Sequence, residues 1–142
     1  MYTIIKNIHS YLAIALLLIL LFASIYALAS WAKGKEYSGN SKKILLAGLV
    51  SAHLQLVIGF LVYFISPLGI SNFSKEVMKN SIGRLYVLEH PLMMLIGIVL
   101  ITIGYSKSKR AKYATVKFRF AGIFYTIGLL LILSRIPWHV WI

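Results

Sequence analysis

Four long apolar runs, near Tyr11–Trp31, Ile44–Ser66, Leu85–Tyr105 and Phe120–Ile136, constrain this chain more than any other feature. Crossing a hydrocarbon core of about 30 Å takes roughly 20 helical residues, which each run approaches or exceeds. In lipid a helix satisfies its own backbone polar groups, so each run is expected to be one span. The spans are placed at about 8–31, 44–66, 84–105 and 119–137. Composition agrees: 60% of the 142 residues are hydrophobic, 13% are charged and the mean hydropathy is +0.84, too little polarity to face water on all sides.

The links between runs are too short to fold separately. The expected fold is therefore all-α: a single domain over 1–142, an integral membrane four-helix bundle of up-down-up-down topology. Lys33, Lys35, Lys42 and Lys43 fill the first link, and Lys107, Lys109, Arg110, Lys112, Lys117 and Arg119 fill the third, together ten of the 15 basic residues. Such clusters mark the cytoplasmic side, which puts both termini on the outer, periplasmic side of a bacterial inner membrane. The net charge of +12 is thus read as topological marking beside anionic lipid, and no nucleic-acid partner is expected. Ala27–Trp31, ALASW, resembles a signal-peptidase site, but the apolar stretch before it exceeds a usual signal core and is read as a retained span.

There is no cysteine, so thiolate ligation, covalent haem attachment and disulfides are excluded. A metal would have to be held by His, Met or carboxylate. The four histidines are His9, His53, His90 and His139. At about 1.5 Å per residue, His9 and His90 differ in depth by roughly 8 to 10 Å counted from the inner edge and by roughly 5 Å counted from the outer basic residues Lys6 and Arg84. They stand on spans one and three, which are diagonal in a simple four-helix bundle and can face a central cofactor from opposite sides; the alternative for His9 is an interfacial residue that reaches headgroup water. His53, about mid-span, is either the rival metal ligand or a hydrogen-bond partner of a neighbouring helix. His139, between Trp138 and Trp141 after Pro137, reads as an interfacial anchor.

The run RLYVLEHPLMMLIGIV, Arg84–Val99, carries Arg84, Glu89 and His90, ionisable groups that are costly in lipid and ask for a reason. Pro91 removes a backbone donor and frees the carbonyl of Val87, which predicts a kink at His90. Glu89 and Arg135 agree in depth within about 3 Å and can form an ion pair that fixes packing. Alternatively Arg135 holds a cofactor carboxylate and Glu89 relays protons. Arg84 is a second candidate for a cofactor carboxylate, or a residue that snorkels to the interface. Met93 and Met94 read as gap fillers. Small and polar residues form stripes on three spans: Gly48, Ser51/Ala52, Gln55, Gly59 and Tyr63; His9, Ala13, Leu16, Leu20, Ala23, Ala27 and Ser30; and Ala121, Tyr125, Gly128, Ile132, Arg135 and His139. These faces are expected to turn into the bundle.

RLYVLEHPLMMLIGIV, an arginine followed six residues later by a histidine that opens an apolar helix, resembles the haem-ligating spans of haem A synthase. NIHSYLAIALLLILL has the same opening, and HLQLVIGFLVYF is similar to the intervening glycine-containing span. The likeness extends to small bacterial four-span proteins of the cytochrome b kind and covers most of the chain. It implies paired haem b ligands at His9 and His90, with His53 the rival, and propionates neutralised by Arg84 or Arg135. The synthase is built of two four-helix halves where this chain supplies one. Its acidic catalytic residue falls where this sequence has Lys6 and Asn7, so no catalytic residue is assigned and enzyme activity is not expected of the chain by itself. What is expected is electron transfer with a quinone or a protein partner, within a larger respiratory or other membrane complex. The alternative is a cofactor-free accessory or structural subunit of such a complex.

Overall fold

A computed structural model describes residues 1–141. It contains α1 (Tyr2–Lys33), α2 (Gly39–Ile65), a short α3 (Lys75–Lys79), α4 (Ser81–Arg110), α5 (Ala114–Ser134) and a terminal turn α6 (Trp138–Trp141). Among the described residues there is no strand. Helices α1, α2, α4 and α5 are each long and apolar enough to cross a membrane. All four begin before the expected spans, and α1 and α4 also run past their ends into flanks whose lysines and arginines are good helix formers. α2 ends one residue early and the last helix three. Pro137 disfavours helical geometry at Ile136, and the N–H of Arg135 falls back on a 3.3 Å bond to the Ile132 carbonyl.

Local signals set the other boundaries. Gly34 closes α1 in the left-handed conformation, φ 63°, with its N–H turned back to Ser30 and Trp31. Ser38 and Ser41 cap α2 reciprocally, each hydroxyl accepting the other's backbone N–H. Pro67 follows the end of α2, and Ser66 before it is extended. The side chains of Ser74 and Asn80 cap α3 and α4.

The four long helices form a ring in which α1 packs on α2, α2 on α4, α4 on α5 and α5 on α1, leaving α1 and α4 diagonal. The tightest pair is α4 with α5. A methyl group on Gly97 would lie 2.9 Å from the Gly128 carbonyl oxygen, and one on Gly128 would lie 2.7 Å from that of Gly97. Only glycine lets the two backbones come so near. Toward the basic links the centre is filled by Phe118 and Tyr125, both fully buried. Tyr125 spans the diagonal, its hydroxyl donating to the Leu45 carbonyl at 2.6 Å, with Gly48 beneath its ring. The expected inward stripes turn into the bundle: Leu20, Ala23 and Ala27 on α1, Ala52 and Gln55 on α2, Ala121 and Ile132 on α5 are all buried, whereas Arg135 and His139, beyond the end of α5, leave the stripe and are exposed.

Outward, the bundle is apolar. Leu18, Phe22, Val57, Phe64 and Leu130 are each more than half exposed, and between 22% and 39% of the most apolar window of each span is buried inside the bundle. Such a surface is soluble only in lipid or against a partner.

A histidine-lined cavity at the end of the bundle

Toward the termini the same four helices separate around a cavity of about 530 Å³, within the roughly 300–1,000 Å³ range of small-molecule and cofactor sites. His9 and His90 line it from the diagonal helices α1 and α4, with Gln55, Gly59 and Tyr63 from α2 and Ile132 and Ile136 from α5 and its end. Pro137, Val140 and Trp141 close part of its rim.

The geometry of α4 begins with Pro91. Residues Leu85–Glu89 form a π turn, and the N–H of His90 bonds to the Leu85 carbonyl, five residues back. The expected irregularity at the histidine takes this form. The Val87 carbonyl, which Pro91 leaves without its helical donor, accepts instead from the Tyr63 hydroxyl at 2.8 Å. An orphaned acceptor on α4 is thereby satisfied by α2, and the wide turn directs His90 into the bundle.

The imidazole centres of His9 and His90 are 6.3 Å apart, with ring planes at 86°. That spacing leaves room for one metal ion reached by both imidazoles from opposite sides at about 2.0 Å from each nitrogen. His90 Nδ1 donates to the Arg135 backbone carbonyl at 2.8 Å, which leaves the lone pair on Nε2. That is the hydrogen-bonding pattern of a metal-ligating histidine. On α1, Gln55 Nε2 donates to the His9 carbonyl at 2.8 Å and pins that turn, while His9 Nδ1 is buried without a partner. Gly59 cradles the ring: a methyl group there would lie 3.2 Å from His9 Cε1.

His53 has a different environment. It sits on the exposed flank of α2, off the cavity, with Nε2 2.8 Å from Thr102 Oγ1. Thr102 gives its own hydrogen to the Ile98 carbonyl at 2.7 Å, so His53 Nε2 is the donor and its contact ties α2 to α4. His139 lies outside the cavity, with its ring centre 6.0 Å from that of Tyr86.

The arginines meet at Glu89. Arg84 Nε donates to Oε1 at 2.7 Å, and Arg135 Nε lies 3.4 Å from Oε2. The pairing with Arg135 follows from their common depth. The pairing with Arg84 does not follow from an ordinary helix, where residues five apart diverge; the π turn between them brings both to one side. Arg84 also donates to the Met78 carbonyl at 2.9 Å, and neither arginine lines the cavity. Both are committed to one carboxylate instead of standing free for a ligand.

Sequence reasoning passed over Tyr2, Ser66 and Tyr86 at the cavity rim, and saw Lys6 only as a flanking charge. The helical period that selects His9 and Ala13 also reaches back to Lys6 and Tyr2, and this was the signal for two of them. Ser66 and Tyr86 had none, since only the packing of α2 against α1 and α4 puts them there. Among the described residues no three His, Cys, Asp or Glu side chains gather as a protein-only metal site. Two histidines facing each other suit a metal whose remaining ligands come with it, as four porphyrin nitrogens do.

No family model, curated protein or solved structure matches this chain. The functional assignment therefore rests on the cavity's own geometry.

Proposed function

We propose that this chain is a haem-b-binding protein of a bacterial inner membrane, crossing it four times with both termini on the outer side. His9 and His90 would hold the iron, and the bound group would exchange electrons with a quinone or a protein partner. The observation that carries the proposal is the pair of imidazoles, 6.3 Å apart across an apolar cavity, from diagonal helices. Haem bound there supplies a one-electron couple whose potential depends on its axial ligands and burial. The protein's part is positioning. The Arg135 carbonyl orients His90, Gln55 anchors the turn that bears His9, and Leu16, Leu56 and Ile98 exclude water.

The test is the absorption spectrum of protein purified after haem-supplemented expression. A Soret band with the signature of six-coordinate iron is expected, lost in His9→Ala and in His90→Ala but retained in His53→Ala. Absence of the band, or its loss in the His53 variant alone, overturns the proposal.

A cofactor-free accessory subunit draws support from two observations. The Arg84–Glu89–Arg135 cluster and the His53–Thr102 bond are explained by helix locking alone. That reading gives no use to the cavity or to the buried, unpartnered nitrogen of His9.

A further inference from the structure

The cavity has two zones. Its depth is walled by Leu16, Leu56, Ile98 and Ile132, while Tyr2, Lys6, Asn7 and Ser66 stand at the rim toward the termini. Lys6 is the only Lys or Arg among its described lining residues, and no Asp or Glu lines it. Of the other cations of this end, Arg84 and Arg135 pair with Glu89, Lys79 lies 3.6 Å from Glu76, and Lys75 stands off the cavity. Among the described residues Lys6 has no carboxylate within salt-bridge distance. It precedes His9 by three residues, hence on the same face of α1 and about 4.5 Å nearer the rim. A lone ammonium above an apolar chamber suits a ligand with an anionic edge and an apolar body.

Resting on the haem proposal, we infer that Lys6 fixes which way round the ligand sits, by pairing with a propionate carboxylate at the rim of the cavity. Arg84 and Arg135, paired with Glu89, do not line the cavity. The ligand's carboxylate edge therefore faces the termini, and its apolar edge lies against Leu16 and Ile98.

The experiment titrates the haem-free protein, in a neutral detergent, with haem, haem dimethyl ester and iron-free protoporphyrin, following absorbance or fluorescence. Esterification removes the carboxylate charges, and the iron-free ring removes any dependence on histidine ligation. Replacing exposed Lys6 by Met is expected to weaken haem and protoporphyrin binding about five- to twenty-fold while leaving the ester unchanged. Lys6→Arg, which keeps the cation, is expected to bind all three within about two-fold of the native chain. A Lys6→Met variant that keeps the native ratio of haem to ester affinity, with its six-coordinate spectrum intact, overturns the role of Lys6 alone. A native protein that binds none of the three compounds, or whose haem spectrum is indifferent to His9 and His90, overturns the haem proposal and this inference with it.

Discussion

The two ends of one bundle use the same four helices to opposite effect. Toward the basic links, Phe118 and Tyr125 fill the centre and Tyr125 reaches across to the Leu45 carbonyl, so the diagonal is closed. Toward the termini the side chains on the corresponding faces are smaller or shorter, Ser10, Ala13 and Gly59, and the diagonal opens between His9 and His90. Of the large fully buried side chains, Val87 is the one that lies at the open end. Stability is concentrated where the bundle is dry and filled. The cavity lies where packing has been left incomplete, which is the room a ligand site needs and a stable core does not spare.

Substitutions that treat the two ends alike should expose this division. The largest effect is expected from His9→Ala and His90→Ala at the open end: complete loss of six-coordinate haem with little change in helix content, checked by absorption and circular dichroism. Next is Gly128→Val against Gly59→Val. At Gly128 the added carbon meets the Gly97 backbone oxygen at 2.7 Å, which cannot yield, and the variant should lose about 2–3 kcal/mol of stability or fail to assemble. At Gly59 the nearest neighbour is the His9 ring at 3.2 Å, which can turn, so stability should fall by less than about 1 kcal/mol while haem occupancy drops. Thermal unfolding in detergent and the Soret absorbance separate the two outcomes, and equal destabilisation would remove the distinction between the ends.

Smaller effects follow from single hydroxyls. Tyr125→Phe strips the fully buried Leu45 carbonyl of a donor and should cost about 1–2 kcal/mol. Tyr63→Phe leaves the Val87 carbonyl of the π turn unpaired and should cost about 1 kcal/mol, with a measurable shift of the haem spectrum because the turn carries His90. Smallest is Glu89→Gln, expected to cost less than about 1 kcal/mol, since a partly exposed ion pair contributes little net stability. A Tyr63→Phe spectrum identical to the native one would detach the π turn from the site.

Hydropathy and the positions of the lysines were sufficient to read four long helices, since backbone hydrogen bonding in lipid leaves few alternatives. Three- and four-residue spacing identified the inward faces of α1, α2 and α5, because the helical period projects directly onto the bundle. The local chemistry of Pro91 foretold a free carbonyl at Val87, as proline's missing N–H is a property of the residue itself. What accepts or donates across helices was not legible. Tyr63 on Val87, Gln55 on His9 and the Arg135 carbonyl on His90 depend on helix rotations that no single helix records. His53 makes the point in reverse, since mid-span depth left it open to ligation, and a neighbouring threonine on an exposed flank decides its bond. The Arg84–Glu89 contact, five residues apart, required the π turn to be known first. By itself the sequence determined which segments are helical and which of their faces turn into the bundle, because both follow from hydropathy and period. Only the tertiary structure decided which side chains meet, because a few degrees of rotation separate a shared cavity from an exposed flank.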